Sequence, residues 1–226
     1  NPDTAIIDTS TAHRTADGWT YGFPEIADGR LKISASKRVA NPGCHASGFI
    51  ALIEPLVRSG ILKKSAKLFS HSLTGFSGGG KKMIADYEES LSGEKGDETR
   101  LQFFGGRQYA LSQSHKHLPE IVKICGLETT PIFCPIVVPH MSGMETTVTI
   151  FKEDLKGGIE DIKNVLKSSY SSGGLVKYDE SLGSDGFISS AFYSGRDDMA
   201  VGVFGNDDRI SLVSVFDNLG KGASGS

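Results

Sequence analysis

Helix-like and strand-like stretches follow one another along this chain without the strict strand–helix–strand order of a doubly wound parallel sheet. That order constrains the fold more than any other feature, because parallel strands each need a crossover and antiparallel ones do not. Residues 41–62, NPGCHASGFIALIEPLVRSGIL, read as a loop leading into a helix. Phe49, Ile50, Leu52, Ile53, Leu56 and Val57 fall on a helical period, and Gly60 stops it. Residues 65–75 alternate as a strand, and 78–90 open a second helix. The polar run 92–100 reads as an exposed loop, and a short helix starts near Pro119. Two β-rich segments, 129–138 and 144–153, precede an amphipathic helix over 158–170. The segment 191–207 is β-like and 209–219 a last strand. The expected class is α+β: a mixed, largely antiparallel sheet flanked by helices.

Composition removes several function classes. A net charge of −3 gives no general footprint for nucleic acid. No apolar run approaches the roughly 20 residues of a membrane span, and the first residues do not form a signal peptide. Three irregularly spaced cysteines make neither a disulfide framework nor a zinc knuckle, and their odd number points to a reducing setting, cytoplasmic or an organelle stroma or matrix.

Four places carry residues suited to chemistry. Cys44 follows Asn41-Pro42-Gly43 at the start of the first helix, where free N–H groups and the helix dipole favour a thiolate. Cys125 and Cys134, inside apolar segments, read as small core residues. The run Ser114-His115-Lys116-His117-Leu118-Pro119-Glu120 places two imidazoles and a carboxylate at a helix mouth. It suits a solvated helix start, an acid/base, or a zinc pair formed by His117 and Glu120 with a third ligand elsewhere. The turn 74–82, TGFSGGGKK, offers backbone amides and lysines to an anion, or is a flexible surface turn, and it lacks the Walker spacing. Residues 220–225 match G-x-G-x-x-G formally, but the helix, strand and acid that a dinucleotide fingerprint requires do not follow.

Together NPGC, SLTGFSGGGKK, HKHLPEI, the terminal DNLGKGASGS and the early IIDTSTAHRT and YGFPEI segments resemble the N-acetyl-gamma-glutamyl-phosphate reductases of arginine biosynthesis, in their shorter class. The resemblance covers nearly the whole chain, in the family's order. It implies a catalytic and dimerisation domain at 41–210. Residues 1–40 would be a remnant of a Rossmann nucleotide-binding domain, and 211–226 a last strand returning toward it; the family's N-terminal Rossmann half and last helix are expected to be absent from the chain.

The resemblance further implies NADPH as cofactor, N-acetyl-glutamyl phosphate as substrate and a homo-oligomer, dimer or tetramer. Cys44 would be the nucleophile, and His117 or His115 the acid/base, with Glu120 orienting His117. Arg14 would hold the phosphate, with Tyr21, Glu25, Glu120 and, by analogy with an arginine of the longer class, Lys81 around the substrate. Ser10, Thr74, Gly75, Ser77, Gly78 and Asn218 would lie against the cofactor. No metal is expected on this reading. A zinc hydrolase built on His117 and Glu120, or a non-catalytic dimerisation module, remain the alternatives.

Overall fold

The computed structural model describes residues 4–171 and 173–224. Near the start, β1 (Ile6–Asp8), β2 (Thr20–Tyr21) and β3 (Arg38–Ala40) form a small parallel sheet in the order β1-β3-β2, with α1 (Gly29–Ala35) between β2 and β3. The chain then enters α2 (Cys44–Arg58), β4 (Phe69–Gly75), a 3-10 turn (Phe76–Gly79), α3 (Gly80–Ser92) and α4 (Asp97–Phe104). Next come β5 (Arg107–Gln108), α5 (Leu118–Cys125), β6 (Ile132–Val138), β7 (Met144–Phe151) and α6 (Ile159–Ser169). The short β8 (Val176–Tyr178), then β9 (Met199–Gly205) and β10 (Arg209–Phe216), lead to a π-type turn over Gly220–Ser224.

Strands β4 to β10 make one seven-stranded sheet, ordered β5-β6-β4-β7-β10-β9-β8. The pairs β5–β6, β4–β7, β7–β10 and β9–β10 are antiparallel, whereas β4–β6 and β8–β9 are parallel. This is the mixed, mostly antiparallel sheet that the order of periods predicts.

The position of α2 governs everything near its first residue. Every residue from His45 to Val57 is buried, with α5 and α6 alongside and β7 and β10 beneath. Its Phe49, Ile50, Leu52, Ile53 and Leu56 are fully enclosed, and each such side chain contributes about 1.5–3 kcal/mol when removed from water. Gly48 lets the helix sit directly on the strands, since a Cβ there would strike Thr146, Ser214 and Phe216. The nucleophile candidate at its first position is thus held against the sheet by the main hydrophobic core.

Three details differ from the sequence-based expectation. The polar run 92–100 becomes helical from Asp97, where Asp97 and Glu98 complement the dipole of the first turn of α4. The stretch 191–207 is strand only from Met199; the residues before it form turns around the buried carboxylate of Asp217, which accepts from Ser142 Oγ at 2.8 Å and from the N–H groups of Gly195, Leu219 and Gly220. Cys125 is a buried core residue as expected, while Cys134 on β6 is only half-buried. The G-x-G-x-x-G match coincides with the π-type turn; its last glycine, Gly225, lies outside the described residues.

Candidate active site

A cavity of about 710 Å³ opens where the start of α2, the turn after β4, the residues before α5 and the end of β10 converge. Its wall includes Arg14, Cys44, His115, His117, Thr74, Gly75, Ser77, Gly78 and Asn218, residues spread across more than two hundred positions of the chain. Cys44 is the first residue of α2, with Gly43 as the cap. Gly43 has a steric reason to be glycine: a Cβ there would collide with His117 Nε2 and the Arg14 guanidinium. Both side chains therefore close directly on the backbone that carries the thiol.

The helix start does not set the Cys44 pKa, because burial overrides it. Burial pushes the thiol up, and it outweighs the His45 N–H and the charges of Lys116 and Arg14, which pull the other way. This corrects the expectation of a thiolate favoured by the helix end alone, and it leaves the proton to be removed by a neighbour.

The candidate neighbours are neutral imidazoles. His117 is 4% exposed and caps α5, its Nδ1 without a hydrogen-bond partner among the described residues. Burial, then the nearby His45, holds its pKa well below 6.5. His115 stands edge-on to it, ring centroids 4.7 Å apart, and its Nδ1 accepts the His117 backbone N–H at 3.3 Å. Burial also lowers the His115 pKa.

Glu120 does not orient His117. Its Oε1 accepts from Tyr21 Oη at 2.6 Å and from Gly43 N at 2.8 Å, and its Oε2 accepts from Arg14 at 3.2 Å. One turn into α5 the carboxylate is committed to the back of the Cys44 loop, and among the described residues no hydrogen bond joins it to the imidazole it was expected to serve. The same commitments oppose the zinc pair, which needs Glu120 and His117 to converge, and the described residues hold no group of three or more His, Cys, Asp or Glu able to bind a metal ion. Arg14 is fixed by Glu120 and by its own Nε donating to Asn41 O at 2.9 Å, which leaves its other amino group without a protein acceptor among the described residues.

The glycine-rich turn forms the opposite wall. Asn218 Oδ1 accepts from Gly143 N at 2.9 Å, and its Nδ2 donates to Ser77 Oγ at 3.0 Å. One amide hydrogen is left for a ligand. With no side chain at Gly75, Gly78, Gly79 or Gly80, this wall fits a flat ring lying against backbone.

Besides Glu120, four expected residues lie off the cavity wall. Tyr21 sits behind Glu120. Glu25 is a buried partner of Lys221, at 2.9 Å, and its Oε1 accepts from Leu175 N. Lys81 is exposed on α3. Ser10 is exposed and turns back to Asp8, donating from Oγ at 2.8 Å. Conversely, Asn41, His45, Tyr109, Lys116 and Gly222 line the cavity, although the sequence assigned them no role. His45 was the legible one, adjacent to Cys44; Tyr109 is 65 residues away from Cys44, and no local pattern marks it.

Comparison with known proteins identifies the family from a family model and from curated relatives. Residues 44–218 match the family described as "Semialdehyde dehydrogenase, dimerisation domain". Among similar curated proteins, the N-acetyl-gamma-glutamyl-phosphate reductase of Sinorhizobium medicae is 40% identical over 227 residues, covering 97% of this chain and 71% of that protein. That of Burkholderia lata is 37% identical, covering 100% of this chain and 71% of its own length. Among solved structures, aspartate semialdehyde dehydrogenase from Francisella tularensis superposes with a TM-score of 0.72 at 16% identity, over 97% of this chain and 71% of that one. Aspartate semialdehyde dehydrogenase II from Vibrio cholerae gives 0.70 at 18%, over 97% and 69%, and these two show the shared fold.

Proposed function

The chain belongs to the N-acetyl-gamma-glutamyl-phosphate reductase family of oxidoreductases, and on that footing we propose that it reduces N-acetyl-L-glutamyl 5-phosphate with NADPH to N-acetyl-L-glutamate 5-semialdehyde and phosphate, in arginine biosynthesis. The observation that carries this reading is the convergence of Cys44, His117 and Arg14 on Gly43 at one end of a cavity whose other wall is glycine-rich backbone.

Cys44 Sγ attacks the acyl carbon as His117 takes the thiol proton; the carbon–oxygen bond to phosphate breaks and a thioester remains on Cys44. A neutral imidazole suits that base, and its Nε2, packed on Gly43, favours His117 over His115. Arg14 holds the departing phosphate with the amino group that Glu120 and Asn41 leave open, and Lys116 adds charge on the same wall. Thr74, Gly75, Ser77, Gly78 and Asn218 would hold the nicotinamide end of NADPH, which supplies the hydride that takes the thioester to the aldehyde level. His117 protonates the resulting oxygen and takes that proton back as the carbon–sulfur bond breaks, releasing the aldehyde and a Cys44 thiolate that His117 then reprotonates.

The small parallel sheet within residues 1–40 would continue a nucleotide-binding sheet of the longer relatives, with 41–210 as catalytic domain and 211–226 returning to it. A second copy would cover the sheet face opposite α2, where Phe69, Ile132 and Phe151 are exposed. Three free thiols suit a cytoplasmic setting.

The test is phosphate-dependent reduction of NADP by N-acetylglutamate semialdehyde. Parent enzyme turns over, and Cys44→Ser loses at least about a thousandfold in kcat. A folded parent without turnover, or turnover indifferent to Cys44, overturns the reading.

A further inference from the structure

His45 and Tyr109 belong to no part of the mechanism above, yet they form a hydrogen-bonded chain that ends in the cavity. Ser72 Oγ lies 2.7 Å from His45 Nδ1, and Tyr109 Oη lies 2.7 Å from His45 Nε2. Ser72, on β4, is fully buried, and His45 is 2% exposed. Tyr109 follows β5, its N–H donating to Pro135 O at 3.0 Å, and it shares the cavity wall with Cys44 and His115. Its ring stands edge-on to both His45 and His115, with centroids 6.0 and 5.8 Å away.

The direction of this chain follows from counting protons. Each ring nitrogen of a neutral imidazole is either donor or acceptor, never both. The Ser72 hydroxyl has one proton and, among the described residues, one hydrogen-bond partner, His45 Nδ1. Thr146, its neighbour in register on β7, leaves its own hydroxyl unpaired and does not take it. If His45 carried its proton on Nδ1, the Ser72 proton would be buried with no acceptor, a costly arrangement. Ser72 therefore donates to Nδ1, Nε2–H of His45 donates to Tyr109 Oη, and the phenol proton is left to point into the cavity. There it meets either water or a substrate oxygen.

We propose that Tyr109 is a further catalytic residue, whose hydroxyl donates a hydrogen bond to the acyl oxygen as negative charge builds on it during attack by Cys44, and that His45, set by Ser72, is the residue that aims it. The proposal rests on the reductase reading. No proton changes hands: the phenol stabilises the tetrahedral oxyanion and keeps its hydrogen. Burial and the proximity of Cys44 hold the Tyr109 pKa well above that of a free phenol, so the group stays a donor at working pH. Burial depresses the His45 pKa to about 3, which keeps the imidazole neutral and the direction of the chain fixed. Donors already aimed at the site of developing charge are the most effective form of such stabilisation.

Full-chain variants separate this proposal from the reading beneath it. In the phosphate-dependent oxidation of N-acetylglutamate semialdehyde, Tyr109→Phe should lower kcat roughly a hundredfold. KM and the rate of Cys44 alkylation should stay within about twofold of the parent. His45→Leu should fall with it, the double variant should be no slower than Tyr109→Phe alone, and His45→Gln, whose amide nitrogen can replace Nε2 as donor, should recover most of the loss. Spectra of protein carrying 15N-labelled histidine should show His45 protonated on Nε2. A Tyr109→Phe enzyme that keeps kcat within twofold while still depending on Cys44 overturns the proposal and spares the reductase reading. His45 protonated on Nδ1 does the same. A parent with no Cys44-dependent turnover overturns both.

Discussion

Two buried polar clusters lie on either side of Gly43, and they are built in opposite ways. Behind it, Glu120 is a hub whose two oxygens accept from Arg14, Tyr21 and the Gly43 N–H. In front, His45, His115 and His117 pack ring against ring with centroids 4.7 to 5.9 Å apart, carry no charge, and leave His117 Nδ1 unpaired. The hub is satisfied, and charge inside a protein is tolerable only in that state. The imidazoles are neutral because burial makes their charged form costly, and the neutral His117, with Nε2 beside the Cys44 loop, can still accept a proton. The satisfied cluster fixes the shape of the corner, and the unsatisfied one does its chemistry.

A second satisfied pair sharpens the contrast. Lys221 is fully buried, bonded to Glu25 at 2.9 Å and set over the Phe23 ring at 4.8 Å. It anchors the π-type turn whose Gly222 packs against Cys44 Cβ and whose Ala223 carbonyl accepts from Asn41 at 2.9 Å. Removing one partner of such a pair leaves a bare buried charge. Lys221→Met is expected to lose about 3–5 kcal/mol in denaturant unfolding, and Lys221→Met with Glu25→Leu to recover most of it. Equal losses in single and double variants would mean that the turn depends on the lysine for something other than its charge.

The histidine cluster should reveal itself through pH rather than through contacts. His45 titrates near 3 in the folded chain and near 6.5 when unfolded, and His115 and His117 are lowered in the same direction. Below pH 6.5 the unfolded chain takes up protons that the folded chain refuses. Stability from His45 is therefore complete above about 6.5 and is lost as pH falls toward 3, by up to about 1.4 kcal/mol per pH unit, and His115 and His117 act in the same direction. His45→Gln should flatten that slope over the same window; an unchanged slope would place the acid sensitivity elsewhere.

The smallest effect is expected outside both clusters. Lys81, exposed on α3, has no partner on the cavity wall. Lys81→Ala should change unfolding free energy by less than about 0.5 kcal/mol and the substrate KM by less than twofold. A larger rise in KM would return it to the substrate's surroundings.

Much of the site was legible because its signals are local. NPGC followed by an apolar helical period puts a cysteine at a helix start, a strand running into TGFSGGG ends in an open backbone turn, and Pro119 after His117 marks the start of α5. The mixed sheet was legible too, since strand and helix stretches follow one another without strict strand–helix–strand order. Helix α4 was hidden by its polarity, having no buried residue to give it a period.

What the sequence by itself determined was which elements form and which residues stand at their ends, because periodicity and capping act within a few residues. Only the tertiary structure decided what those ends face. It raised the Cys44 thiol where a helix start alone would lower it, turned Glu120 from His117 to Arg14, and took Glu25 from the substrate to Lys221. It also set Tyr109 against His45 across 64 residues. Charges and hydrogen bonds respond to distance and burial in three dimensions, and neither quantity is written in the spacing of residues along the chain.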